Sequence, residues 1–259
     1  MVITLIGAGR LATQTGKALM AAGHRIAQVY SRTIESASTL AQLLDSQPTC
    51  NIADIRDGAD IYLLALKDSV LEEVAERLAK HLDHPLLVHT AGSMPLQLFQ
   101  GKTSRYGVFY PMQTFSKERN VNFREIHCFI EANDEPTLQT IREMASSISD
   151  HVQPLASSER RQLHLAAVFA CNFANHCYTL ADQLLSEGGV DFSAMLPLID
   201  ETARKVHQLS PIEAQTGPAV RYDENVIAAQ SQLLQGLPKE IYQLMSQSIH
   251  SMSKLKVER

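Results

Sequence analysis

His164 is the residue of this chain best suited to handling a proton. It stands in a helical pattern over residues 158–186. Steps of about 100° per residue put Val168, Cys171 and Asn175 on its face, with Asn172 about 80° away. An imidazole beside a carboxamide suits a reaction in which hydride reaches a carbonyl or imine carbon and a proton must reach the neighbouring oxygen or nitrogen. His164 and Asn172 are therefore catalytic candidates, against the alternative that His164 only bonds within a domain interface. Gln113 is a third, because it lies with Thr114 inside the otherwise apolar "FYPMQTFS". Gln113 then faces the reacting centre and Thr114 the substrate, unless Gln113 only bonds within its loop. Arg221, in "TGPAVRYD", is a candidate clamp for a substrate carboxylate through two parallel N–H donors, or else pairs with Asp223. His207 and His250 read as ordinary helical histidines, and His151 precedes a strand. No metal is expected, because no set of His, Cys, Asp and Glu has ligand spacing, and no GxSxG nucleophile motif occurs.

A second group points to a dinucleotide. "GAGRLA" follows the apolar run Val2–Ile6 and opens a helix over 10–22. Gly7 permits the tight turn, Gly9 lets a pyrophosphate approach the backbone, and Ala12 lets the helix pack close to the strand. The helix start offers free N–H groups to the phosphates, so Gly7, Ala8, Gly9, Arg10 and Leu11 form the expected cradle. The next strand, Arg25–Tyr30, ends in "YSRT" without a carboxylate. An NAD site usually places Asp or Glu there to bind the ribose hydroxyls. Ser31, Arg32 and Thr33 instead suit a 2′-phosphate, which selects NADP. Leu66 and Lys67 in "LALKDS", and Thr90 and Gly92 in "HTAGS", complete the cofactor set. Asp68 or Ser69 is expected to cap the helix that follows, and the small residues of "HTAGS" to let the nicotinamide lie close to the backbone.

These groups need a scaffold with its strand ends on one side. Residues 1–156 alternate strands (2–6, 25–30, 49–52, 61–66, 85–90, 106–110, 127–132, 152–155) with helices (10–22, 33–44, 69–82, 136–149). That order predicts an α/β fold with a doubly wound parallel sheet. Residues 157–259 read as all helix, over 158–186, 191–209, 223–235 and 238–253, with Ser157 or Ser158 capping the first. The domain boundary is placed near residue 156, with a cleft between the halves. The chain has 259 residues, of which 45% are hydrophobic and 20% charged, enough for a packed core in each half. A net charge of −5 without basic runs argues against nucleic acid and membrane surfaces. Cys50, Cys128, Cys171 and Cys177 form no CxxC pair and read as reduced thiols. With no signal peptide and no membrane-length apolar run, a cytoplasmic protein is expected.

"IGAGRLA", "YSRT" and "LALKD" resemble the NADP-binding domain shared by deazaflavin-dependent NADP reductases and pyrroline-5-carboxylate reductases. With "HTAGS", "YPMQTFS", "HLAAVFACNFAN" and "TGPAVRYD", nearly the whole chain resembles a family of NADP oxidoreductases with an uncharacterised C-terminal domain. The resemblance implies an N-terminal Rossmann domain and a C-terminal domain similar to the helical domain of 6-phosphogluconate dehydrogenase. It also implies a small-molecule substrate that the family leaves unassigned. Its third loop usually reads His-Pro-Leu-Gln-Thr-Phe, whereas this chain has Tyr110 and Met112. Tyr110 must take over any chemistry of that His, or the role is lost. The expectation is an NADP(H)-dependent oxidoreductase acting on a carbonyl, hydroxy-acid or imine, as a homodimer through the helical domain. The alternatives are a non-catalytic NADP-binding sensor and a deazaflavin-linked NADP reductase.

Overall fold

The computed structural model describes residues 1–116, 119 and 121–255. The first compact unit, residues 1–171, is built on one eight-stranded sheet. In chain order its elements are β1 (Val2–Ile6), α1 (Arg10–Ala21), β2 (Arg25–Tyr30), α2 (Ile34–Leu43), β3 (Gln47–Thr49), β4 (Ile61–Leu64), α3 (Asp68–His81), β5 (Leu86–His89), β6 (Arg105–Pro111), β7 (His127–Ala132), α4 (Glu135–Ile148), β8 (His151–Pro154) and α5 (Ser157–Ala167). The strand order is β3-β2-β1-β4-β5-β6-β7-β8. β1, β4 and β5 lie inside the sheet with helices over both faces, so they read as unbroken apolar runs rather than alternating ones. One core lies between the sheet and α1, α2 and α4, around Ile3, Leu5, Leu19, Leu40, Phe109 and Ile141. The other, around Leu64, Leu71, Leu78 and Phe99, packs α3 against the opposite face. Pro48 and Pro154 sit in the two edge strands, where a missing N–H costs no ladder bond.

The sheet is not wholly parallel: β7 runs antiparallel to β6, with Tyr110 opposite Phe129. Among the described residues, the connection from β6 to β7 holds only the short 3-10 turn Phe123–Glu125. The chain returns beside the strand it left, and β8 follows parallel to β7 after α4. Strand ends shift by one to three residues from expectation, most at β3, which ends at Thr49 rather than starting there.

The second compact unit begins at Asn172, so the units divide within the long helical stretch rather than at residue 156. The stretch is itself interrupted. After α5, residues Val168–Phe173 form a wider π-helical turn, and α6 (Ala174–Glu187) resumes regular geometry. A 3-10 turn at Phe192–Met195 precedes α7 (Leu196–Lys205), where one helix over 191–209 was expected. The short α8 (Pro211–Ala214) and α9 (Pro218–Arg221) lead to α10 (Glu224–Gln232) and α11 (Gly236–Leu255). α11 holds α9 and α10 through Ser253 Oγ donating to the Val220 carbonyl (3.1 Å) and Tyr242 donating to Gln230 (2.7 Å). Among the described residues of this unit only Ala219, Ser231 and Ser246 are buried.

Candidate functional site

The "GAGRLA" turn has the geometry its residue types demand. Gly7 is buried at φ +120°, and its N–H donates to the Tyr30 carbonyl (2.8 Å). A Cβ there would run into the Ala65 carbonyl oxygen, so β1 and β4 leave room only for glycine. Gly9 is the opposite case: it is exposed, and a Cβ would meet nothing within 4 Å. Packing alone does not require glycine there, and the open side lies where phosphates would approach the first turn of α1. That turn carries no acidic residue to compete for its N–H groups. Ala8 and Leu11 are half-buried, and Arg10 is exposed as the first residue of α1.

Beyond β2, the Ser31 N–H donates to the Thr49 carbonyl (3.1 Å), which ties this turn to β3. Thr33 caps α2, accepting from the Ser36 N–H (3.4 Å). Arg32 between them is exposed and has no hydrogen-bond or ion-pair partner among the described residues. The set fits an NADP adenosine end: a cation, a half-buried Ser31 and no carboxylate. Lys67 is exposed immediately before α3, and Leu66 lies against Gly7. Neither Asp68 nor Ser69 caps α3. Asp68 is its first residue and accepts from the Ser93 hydroxyl, joining the "LALKDS" and "HTAGS" loops.

The "HTAGS" loop departs from expectation in two ways. Thr90 is buried, and its hydroxyl donates to the Leu64 carbonyl (3.3 Å), so its proton is committed to β4. Gly92 is buried against His164: a Cβ would sit 2.6 Å from Nδ1 and 2.7 Å from Cγ of that ring. The space that a side chain at residue 92 would need is filled by the imidazole.

His164 reaches this place because α5 is pinned along the loop after β5. Ser157 is its first residue rather than its cap, and its hydroxyl accepts from the Leu96 N–H (2.9 Å) and donates to Glu131 (2.7 Å). Three residues on, Arg160 is fully buried, bonded to Glu131 (2.5 Å) and the Met94 carbonyl (2.6 Å). Four further on, one helical turn away, His164 lies over Gly92 with Nδ1 3.1 Å from the Tyr110 hydroxyl. Burial pushes the Tyr110 phenol above its ordinary value, against the opposing pull of the Arg160 cation. His89, at the end of β5, is buried; its Nδ1 accepts from the Ala91 N–H (3.2 Å) and its Nε2 has no partner among the described residues. Desolvation and then the Arg160 cation push its pKa down to about 3, so it is neutral.

The other candidates have the following local surroundings. The Gln113 side-chain oxygen accepts from the Thr114 N–H (2.8 Å), and both residues are exposed. This is the bond within the loop that stood as the alternative. Asn172 is exposed in the π-helical turn. That turn advances about 80° per residue rather than 100°, so the face assigned to Val168, Cys171 and Asn175 does not carry through it. Arg221 ends α9, exposed and unpaired among the described residues, while Asp223 caps α10 through the Val226 N–H (3.4 Å). Sequence reasoning missed Glu131 and Arg160 altogether. The only available signal was that Ser157, Arg160 and His164 recur at helical spacing. Among the described residues no three His, Cys, Asp or Glu side chains could hold a metal ion, and no helix is long and apolar enough to cross a membrane.

Residues 2–92 match the family described as NADP oxidoreductase, coenzyme F420-dependent, and residues 126–249 match a domain of unknown function, DUF2520. Across 96% of this chain and 98% of the other, the structure superimposes on a Bacteroides fragilis protein provisionally named an NADP oxidoreductase, with 50% identity and a TM-score of 0.93. The chain belongs to that family. An imine reductase from Myxococcus stipitatus, solved with NADP+, shares the fold at 15% identity and a TM-score of 0.68, covering 100% of this chain and 94% of that one. So does a 1-pyrroline-5-carboxylate reductase from Streptococcus pyogenes, at 15% identity and a TM-score of 0.65, covering 97% and 98%. No curated protein matches. Membership agrees with the open-sided Gly9 and the carboxylate-free "YSRT" turn, both of which suit the dinucleotide in the family's name.

Proposed function

We propose that this chain is an NADP(H)-dependent oxidoreductase that transfers hydride to or from a small carbonyl, hydroxy-acid or imine compound. The observation that carries the reading is the seating of His164 against Gly92 and Tyr110, just past the carboxyl end of β5. In sheets of this type ligands bind beyond the carboxyl ends of the strands. The bound dinucleotide is the source or acceptor of hydride. The chain's own groups then have distinct tasks. Gly7, Gly9 and the first turn of α1 hold the pyrophosphate, Arg32 and Ser31 the 2′-phosphate, and His164 handles the proton at the substrate oxygen or nitrogen. Arg221 is proposed as a carboxylate clamp, which favours substrates bearing an acid group. Gln113, Thr114 and Asn172 keep only a supporting place in this reading.

The helical unit is proposed to form a homodimer. Leu233 (80% exposed), Leu237 (71%) and Leu244 (65%) face outward from a unit with almost no buried side chains. An apolar surface of that kind marks an association site. The four free thiols accord with a reducing cytoplasm.

The test is NADPH oxidation over a panel of cyclic imines, 2-oxo acids and aldehydes, with His164→Ala alongside. The expected result is turnover with at least one class, and a fall in kcat for His164→Ala while NADPH still binds. Tight NADPH binding without turnover would replace this reading with a sensor. Reduction of a deazaflavin alone would replace it with a deazaflavin-linked reductase.

A further inference from the structure

We propose that Tyr110 is a positioning residue for His164: its phenol donates to Nδ1, which leaves Nε2–H as the outward-facing donor of the ring. This rests on the reading of His164 as the proton-handling group. The hydroxyl and Nδ1 are 3.1 Å apart, and the two rings meet edge-on with centroids 6.0 Å apart. Two arrangements fit that distance. In one, the phenol donates to a bare Nδ1. In the other, Nδ1–H donates to the phenol oxygen, and the phenolic proton must find a second acceptor. Tyr110 is only 8% exposed, and no other acceptor lies within hydrogen-bond distance of its hydroxyl among the described residues. Leaving a buried O–H unpaired costs about 1–3 kcal/mol. The first arrangement avoids this cost.

The surroundings support the same choice. The titratable groups acting on the phenol are the Arg160 cation and the Cys171 thiol, and burial keeps the phenol protonated and therefore a donor. His164 Nε2 has no partner among the described residues, and the ring is half-buried rather than enclosed, so that nitrogen stays open to a ligand.

The experiment uses the full-length protein labelled with 15N-histidine. Long-range 1H–15N correlation spectra distinguish the two neutral tautomers, and the His164 signals are identified by their loss in His164→Gln. The expected result for the wild-type protein is a bare Nδ1 and a protonated Nε2. In Tyr110→Phe a mixture of tautomers is expected, with kcat lowered about five- to tenfold, the loss of one net hydrogen bond, and KM for NADPH unchanged. Protein made with 3-fluorotyrosine, which keeps the hydroxyl, should retain the wild-type pattern. A wild-type ring protonated on Nδ1, or a Tyr110→Phe spectrum identical to wild type, would overturn the assignment. The wild-type measurement needs no substrate, only the His164→Gln spectrum for assignment. A protein that turns over nothing therefore defeats the proposed function while the tautomer measurement still decides this inference.

Discussion

Gly92→Ala should disturb the site through His164 and not through the cofactor. The new Cβ would stand 2.6 Å from Nδ1, 2.7 Å from Cγ and 3.0 Å from Cβ of His164. Ordinary carbon contacts are about 3.5–4.0 Å, so the ring must retreat by roughly 1 Å. The bond to Tyr110 is already 3.1 Å long and would pass out of hydrogen-bond range. Overpacking costs about 1–3 kcal/mol, and the stranded Tyr110 hydroxyl adds about 1–3 kcal/mol. The expected loss is about 2–6 kcal/mol, which lowers Tm by roughly 4–24 °C in a protein of this size. Thermal unfolding of Gly92→Ala, His164→Ala and the double variant checks the cause. Removing the imidazole leaves only the 3.0 Å contact with the His164 Cβ. The alanine at 92 should therefore cost about 1–2 kcal/mol less in that background, the coupling expected of residues in contact. NADPH affinity should change less than about threefold, a fraction of a kcal/mol. Additive Tm losses in the double variant would refute the argument. So would loss of NADPH binding at unchanged Tm, because the glycine would then be facing the cofactor.

Three further predictions rest on separate features. Arg32→Asp should weaken NADP binding far more than NAD binding, because the unpartnered cation beyond β2 is the group suited to a 2′-phosphate; equal loss of both in a titration would remove Arg32 from the site. Glu131→Gln should cost about 3–5 kcal/mol in chemical denaturation, since it strands the buried Arg160 charge, and Glu131→Leu combined with Arg160→Met should recover most of that loss. His89 should make the protein acid-sensitive. Its folded pKa of about 3 lies below the ordinary 6.5, so the unfolded chain binds the extra proton between those values and stability falls as pH falls through that window. From pH 7 to pH 5 this one group should cost about 2 kcal/mol, a slope that His89→Asn removes; an unchanged slope in the variant would show that other groups set it.

The turns proposed to hold the nucleotide are legible because their signals are local. "GAGRLA" and "YSRT" each lie within one turn, and the demands on Gly7, Gly9 and Arg32 come from their own backbone position and charge. The inner strands were legible because burial on both faces leaves an unbroken apolar run. The direction of β7 was not, because it depends on the connection between two strands rather than on anything within them. The π-helical turn at Val168–Phe173 was not legible either, since its residues satisfy an ordinary helical pattern. The candidate centre around His164 is made of contacts distant in sequence. Tyr110 and His164 are 54 residues apart, and Arg160 and Glu131 are 29 apart. No spacing rule links such pairs, and Gly92 was read as room for a ligand because nothing local shows that a distant ring fills it.

The way α5 is held explains why one histidine can be placed so closely. Residues 157, 160 and 164 share one helical face, and each meets the loop after β5 at a successively earlier residue: Leu96, then Met94, then Gly92. The helix therefore runs antiparallel to the loop, with its register fixed at three points. Two of these points are polar and buried, bonded in turn to Glu131 on β7, so a slide or rotation of α5 would strand a charge and a hydroxyl together. The cost of that displacement is far larger than the single hydrogen bond between His164 and Tyr110. Ring position is set by the Arg160 anchor, and the Tyr110 bond is left to choose only the ring's orientation and tautomer. This division predicts different failures: loss of Arg160 should act on stability, and loss of the Tyr110 hydroxyl on the protonation pattern of a ring that stays in place.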